Sequence, residues 1–388
     1  MTRDTEAERR ALAERLTVSG ELRSRGWRAA VEAVPRERFL AAGVFLPEEG
    51  GWWRPVTPGS VGDEAWVEIA YRDESLVTQL DGHLTADRVG EPVRGIPTSS
   101  STVPSTVVGM VEALDVRDGQ RVLEVGTGTG YSTALLCHRL GEDQVTSVEV
   151  DPDVAARADA ALEAVGYSTW TVIGDGLLGH PLRAPYDKVI ATCAVRRIPY
   201  AWVRQTRPGG TILATVGSWA YGTGLARVTV GEDGSAEGRI IRRASFMPAR
   251  SQAAVPPAGD LSARAAYPDS ERVTPIDPRV LEEWMPALLA QLAVPGAQFV
   301  KALGEDGEQS YLFDTERESF AHLRAGPGGW TVRQGGPVAL WDRVEEALAG
   351  WQETGRPGIE TVRLRITPRA HTYWLEGRLA MRWEHQVG

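Results

Sequence analysis

The hydrophobic pattern changes period repeatedly along this chain, and each change marks an expected element. Residues 122–125 form a short apolar run that reads as a buried parallel strand. Glycines follow at 126, 128 and 130, and from Ser132 apolar residues recur at helical spacing (Ala134, Leu135, Leu136, Leu140). Residues 144–151 read as a second strand ending in acids, 153–165 as a helix, and 170–174, 188–191 and 211–216 as further strands. Strand, glycine turn and helix in succession predict an α/β, doubly wound sheet.

Upstream, residues 4–33 read as two helices interrupted at Gly20 and Gly26, with Pro35 ending the second. Residues 46–63, rich in Pro, Gly and Trp, read as a loop, Trp66 to Ile69 as a strand, and Val107 to Leu114 as a helix. Downstream, 226–230 and 239–243 read as an antiparallel pair. Residues 251–275, dominated by Ala, Pro and Ser, read as a linker. An α+β module is expected beyond it: helices over 280–292 and 337–351, several short strands, and 361–367 with Val362, Leu364 and Ile366 inward and Arg363 and Arg365 outward. The expected domains are therefore 1–250, a linker 251–275, and 276–388 as a substrate-recognition module. Trp284, Trp330, Trp341, Trp351, Trp374 and Trp383 fit either a small aromatic core or a peptide groove.

Composition narrows the function. A net charge of −10 and the absence of a basic run argue against nucleic acid as the main partner. Two cysteines, Cys137 and Cys193, make no zinc framework, and no metal site is expected. The charged start lacks an apolar signal core, and no apolar run reaches membrane-spanning length. A cytoplasmic protein with no membrane partner is the expectation.

The chemistry concentrates at the glycine turn. Gly126, Thr127, Gly128 and Gly130 form neither a dinucleotide G-x-G-x-x-G nor a phosphate-binding loop closed by Lys-Ser/Thr. Without Cβ atoms, such a turn lets a ligand lie against the backbone. Glu149 follows Gly130 by nineteen positions, where a doubly wound fold presents a carboxylate to ribose hydroxyls.

With Gly174-Asp175-Gly176 and the acidic turn at Asp187, these motifs resemble the S-adenosyl-L-methionine-dependent methyltransferases with a Rossmann-like class I fold. The resemblance implies that Glu124 and the glycines bind that cofactor, with Glu149 on its ribose and Asp175 and Gly176 beside its adenine. Val34-Pro35-Arg36, Ala70-Tyr71-Arg72-Asp73 and the tract Ser100-Ser101-Thr102-Val103-Pro104 narrow it to the protein-L-isoaspartate O-methyltransferases. That family carries a Ser where this chain has Thr102, so Thr102, with Ser101 before it, is the implied catalytic hydroxyl. The same residues also suit a helix N-cap. Arg94, Arg196 and Arg197 are candidate cations for an anionic substrate; the last two read equally as a solvated pair.

The extra module resembles family members associated with ribosomally made peptide natural products (lanthipeptides, lasso peptides and graspetides). That implies methylation of an aspartate side chain in a precursor peptide, the ester closing to aspartimide and then isoaspartate. Isoaspartyl repair, and a non-catalytic peptide-binding protein on the same fold, are the alternatives.

Overall fold

The run Val122–Val125 is buried at all four positions and has a parallel strand on each side, Val145–Glu149 and Tyr186–Val195. Burial on both faces is what a central parallel strand requires. The computed structural model describes residues 4–387 except 218, 220–221, 253–258, 305–306 and 327. Two compact units divide the chain, Met1–Cys193 with Ala201–Leu213, and Ala194–Tyr200 with Ala214–Gly388.

In the first unit, α1 (Glu6–Val18) and α2 (Arg25–Ala33) bury Leu12, Leu16, Trp27, Ala30 and Val31. Next come β1 (Val44–Glu48) and β2 (Trp52–Val56), a hairpin where a loop was expected. Its prolines carry the sequence signature of a loop. Pro55 pairs only with β1, and the other neighbour reaches no further than Trp52 and Trp53, so it lies on a free edge where proline is tolerated. After α3 (Pro58–Val61), the expected strand at Trp66–Ile69 is instead the middle of α4 (Asp63–Ala70). Four apolar residues fit either period, and Asp63 and Glu64 at the positive helix start favour the helix. Strands β3 (Leu76–Leu80), β4 (Val93–Arg94) and β5 (Pro97–Ser101) complete an antiparallel sheet in the order β4-β2-β1-β3-β5.

The α/β part follows: α5 (Pro104–Leu114), β6 (Val122–Val125), α6 (Tyr131–Leu140), β7 (Val145–Glu149), α7 (Pro152–Ala164), β8 (Trp170–Ile173), β9 (Tyr186–Val195), α8 (Tyr200–Gln205) and β10 (Thr206–Val216). The spatial order is β8-β7-β6-β9-β10. After β6 the chain continues to one side with β7 and later returns to the other with β9. This reversal opens a crevice at the carboxyl end of β6, where open α/β sheets bind ligands. The doubly wound α/β class read from the sequence is the one observed.

In the second unit, β11 (Gly224–Val230) and β12 (Ala236–Arg243) form the expected antiparallel pair, with Gly234 at φ 73° in the turn. Val255–Ala258 of the expected linker lies outside the described residues, but the same stretch contributes α9 (Gly259–Arg264) and β13 (Ser270–Thr274). Beyond them lie α10 (Trp284–Ala293), β14 (Gln298–Gly304), β15 (Gly307–Asp314), β16 (Ser319–Gly326), β17 (Gly329–Gly335), α11 (Leu340–Glu353), β18 (Val362–Ile366), β19 (Ala370–Leu375) and β20 (Arg378–Gln386), the last not expected. Two antiparallel arrangements result, β13-β17-β16-β15-β14 and β11-β12-β18-β19-β20. Because β12 pairs with β18, the first hairpin after residue 213 belongs with this unit, whereas the expected ranges put it within 1–250. Val362, Leu364 and Ile366 are buried, and Arg363 and Arg365 point outward, as alternation predicts. Trp341 and Trp351 are buried on α11, and their indole N–H groups donate to Thr274 Oγ1 (2.9 Å) and Pro357 O (2.9 Å). For these two the core role holds, since a buried indole needs such an acceptor.

Gly238 on β12 is a sharp packing constraint: a Cβ there would lie 2.0 Å from the Arg227 carbonyl oxygen. Gly238→Ala should therefore destabilise the second unit by about 1–3 kcal/mol through overpacking. Thermal and urea unfolding of the purified variant check this; an unchanged midpoint would mean that the hairpin yields without cost.

Candidate active site

The turn after β6 is built by backbone geometry that side chains resist. Gly126, Gly128 and Gly130 have φ of 93°, 55° and 89°, the left-handed region that glycine enters freely. A Cβ on Gly126 would lie 2.8 Å from Thr192 Oγ1, which itself donates to the Gly126 carbonyl. A Cβ on Gly128 would meet only Ser100 O, at 3.7 Å, so open space lies against the backbone there. Gly176 lets the loop after β8 close on β6, since its Cβ would fall 2.5 Å from Val125 Cγ1.

Two carboxylates frame this turn. Glu124, fully buried, accepts from Thr133 Oγ1 (2.5 Å) and Ser147 Oγ (2.7 Å). Burial raises its pKa, and hydroxyl donors at Ser132, Thr133 and Ser147 oppose that rise. Thr127 Oγ1 shares the Ser147 hydroxyl at 2.7 Å. Glu149, at the end of β7, accepts from the backbone N–H groups of Gly128 (2.9 Å) and Asp151 (3.1 Å). Each oxygen keeps a lone pair for another donor. Asp175 accepts from Leu177 N (2.9 Å), and Trp202 Nε1 donates to Gly176 O (2.8 Å). A glycine turn with room against its backbone, an oriented acid and a second acidic loop fit a nucleoside-bearing cofactor. The turn at Asp187 serves packing: it accepts from Arg121 N (2.7 Å) and pairs with Arg207.

The serine tract passes over this turn, with Ser100 O beside Gly128. Ser101 Oγ is buried without a hydrogen-bond partner. The Thr102 hydroxyl has no protein partner among the described residues, and Val103, not Thr102, is the cap of α5, with no side-chain bond. Capping falls to Asp73, which accepts from Ser105 N at 2.8 Å. The N-cap reading of the tract is thus set aside.

The residue that sequence reasoning missed is Arg36. Its side chain is fully buried, and it donates to Ala70 O (2.6 Å), Arg72 O (2.9 Å), Glu74 O (3.1 Å), Ser101 O (3.4 Å) and Thr102 O (3.3 Å). Its guanidinium also lies 5.9 Å from the ring centroid of Tyr131, the first residue of α6. Burial lowers its pKa to about 10, which keeps it charged at neutral pH. The three segments singled out by resemblance are therefore tied together by one side chain. The Val-Pro-Arg turn was the signal, but nothing local said where the guanidinium points.

The candidate substrate cations belong to different units. Arg94 lies on β4 with its guanidinium over Trp52, 4.9 Å from the ring centroid. Arg196 and Arg197 belong to the second unit, where Arg196 N donates to Gln252 Oε1 (2.6 Å) and Arg197 to Gln386 O (2.9 Å). Among the described residues no group of His, Cys, Asp and Glu could hold a metal, and no helix is long and apolar enough to cross a membrane.

Comparison with known proteins agrees with this geometry. Residues 64–254 match the family model described as protein-L-isoaspartate(D-aspartate) O-methyltransferase. A protein-L-isoaspartate O-methyltransferase of Ignicoccus hospitalis is 34% identical over 213 residues, covering 54% of this chain and 82% of that one. One from Hyperthermus butylicus is 31% identical over 260 residues, 64% of this chain and 91% of that one. A solved structure titled protein-L-isoaspartate O-methyltransferase aligns with 98% of this chain and 99% of its own, at 20% identity and a TM-score of 0.52.

Two outcomes are expected. Gly128→Val and Glu149→Ala should each weaken S-adenosylhomocysteine binding by tenfold or more in calorimetry, because one fills the space against the turn and the other removes the oriented acceptor; wild-type affinity in both would move the site elsewhere. Arg36→Lys keeps the charge but not the fork, so it should lower the melting temperature through unsatisfied carbonyls, and an unchanged melting curve would show these bonds to be dispensable.

Proposed function

We propose that this chain, which belongs to the protein-L-isoaspartate O-methyltransferase family, methylates the free α-carboxylate of isoaspartyl residues in polypeptides. It is an S-adenosyl-L-methionine-dependent methyltransferase; when bound, that cofactor supplies an electrophilic methyl on a sulfonium. The observation that carries the substrate reading is Thr102: an unengaged hydroxyl on a segment fixed by Arg36, two residues after Ser100, whose carbonyl lies beside the glycine turn.

A carboxylate is ionised at neutral pH, so no side chain has to remove a proton before transfer. What the residues contribute is placement. Thr102 donates to one carboxylate oxygen and leaves the other free to attack. Arg36 is a positioning residue, because it holds the Ser101 and Thr102 carbonyls and thereby the direction in which the Thr102 side chain projects. The buried Ser101 hydroxyl is a second donor should the tract shift.

A precursor peptide with an ordinary aspartate, leading to aspartimide, is the competing reading, and its support is the second unit. The solved structure aligned over nearly the whole chain weakens that support, because an extension of this length is not peculiar to the present protein. The two substrates differ in shape. In isoaspartate the free carboxylate sits directly on Cα, and in aspartate it hangs from Cβ.

Mass spectrometry of paired peptides, identical but for Asp or isoaspartate, separates the readings through a 14 Da gain or the later loss of methanol. Isoaspartyl peptides should be methylated at least tenfold faster. Thr102→Ser should retain most single-turnover activity, and Thr102→Val should lose tenfold or more while S-adenosylhomocysteine affinity holds. Preference for the Asp peptide would transfer the function to ordinary aspartate, and an unaffected Val variant would remove Thr102 from the mechanism.

A further inference from the structure

A cleft of about 480 Å³ lies in the first unit beside the glycine turn, within the size range of ligand sites. Ser99, Gly128 and Thr129 line it. Arg157, Ala160, Ala161 and Ala164 of α7 line it, and so does the run from Arg38 to Gly43. The short side chains of α7 leave the width, and Phe39, Leu40 and Val154 supply an apolar lining.

The charges in this cleft are unusual for an acidic chain. Arg38 is exposed and Arg157 half-buried, and neither closes an ion pair or a side-chain hydrogen bond among the described residues. Asp87 is the lining carboxylate that opposes them. Two arginines against one aspartate give the cleft a positive balance in a protein of net charge −10. Arginine presents a planar fork of donors that matches a carboxylate, and a cleft wall of low polarity strengthens that attraction.

We infer that this cleft binds a second carboxylate of the polypeptide substrate, one that is not methylated, between Arg38 and Arg157. The inference rests on the polypeptide-carboxyl reading above. Ser99 lines the cleft, and Thr102, where the reacting carboxylate is held, follows three residues later. Three residues of extended chain span roughly 10 Å, so a peptide lying along the tract brings an acidic residue about three positions from the reacting one to the cleft. The apolar lining suits the methylenes of Glu or Asp. A peptide C-terminal carboxylate has the same chemistry and is the other source.

The test uses the full-length protein with S-adenosylhomocysteine and fluorescent isoaspartyl peptides that carry Glu or Gln three positions to either side, each as free acid and as C-terminal amide. Binding is read by anisotropy and methylation separately by mass spectrometry with S-adenosylmethionine. A Glu peptide should bind at least fivefold more tightly than its Gln counterpart. Arg38→Glu with Arg157→Glu should abolish or invert that preference, and Arg38→Gln with Arg157→Gln should reduce it, with cofactor affinity unchanged in both. A preference that follows the free C-terminus instead of Glu assigns the cleft to the chain end. Equal binding of all peptides to the wild type, or a Glu preference that survives charge reversal, overturns the inference. Selective binding without methylation of any peptide leaves the cleft standing and refutes the isoaspartyl reaction instead.

Discussion

A buried guanidinium with no carboxylate partner is the constraint on which the segments around the serine tract depend. Removing the charge of Arg36 from water is costly, and it remains tolerable only because carbonyl oxygens replace the lost hydration. Five such oxygens come from residues 70–74 and from 101–102. None of those carbonyls can leave without exposing the charge to an unfilled site, so the segments hold one another in place. The Tyr131 ring beside the same guanidinium extends this mutual dependence to the helix that opens from the glycine turn. Fixing a strand end by backbone carbonyls has a further merit, in that it constrains the course of the chain while leaving its side chains unused.

How far the sequence could be read follows from how local each signal is. The glycine turn, Glu149 and Asp175 were legible because their geometry is set within a few residues: a left-handed φ at Gly126 or an acid at the end of β7 needs no distant information. The five-strand sheet of residues 44–101 was only half legible. Pro47 and Pro55 look like breakers until the pairing shows that β2 is bounded by a strand of two residues. Trp66–Ile69 has no intrinsic preference strong enough to declare its period, and burial decided it. Arg36 reads as part of a turn and not as its purpose, because a long side chain can point anywhere its surroundings accept it. The same holds for Arg196 and Arg197, whose neighbours in sequence sit near the fourth parallel strand but whose partners are Gln252 and Gln386.

Membership of the methyltransferase family settles the donor and the type of bond formed more firmly than the acceptor. Every carboxyl methyltransferase of this kind faces the same simple chemistry, an ionised oxygen and an activated methyl. Selection among acceptors has to come from the shape and charge around the tract, where a threonine stands in the place that the resemblance gives to a serine, an antiparallel sheet leads into it, and a cleft lined by Arg38 and Arg157 lies beside it.

The capping of α5 by Asp73 carries a consequence for how such an enzyme diverges. In many proteins a Ser or Thr ahead of a helix secures its first turn, and changing it costs stability. Here the duty has moved to a residue on another segment. The tract is thereby released from that structural obligation, and its hydroxyl positions can drift between Ser, Thr and other small residues with little penalty to folding. Selection can then act on those hydroxyl positions alone. A lineage that kept Arg36 and Asp73 could change what it methylates by single steps, each passing through a folded intermediate.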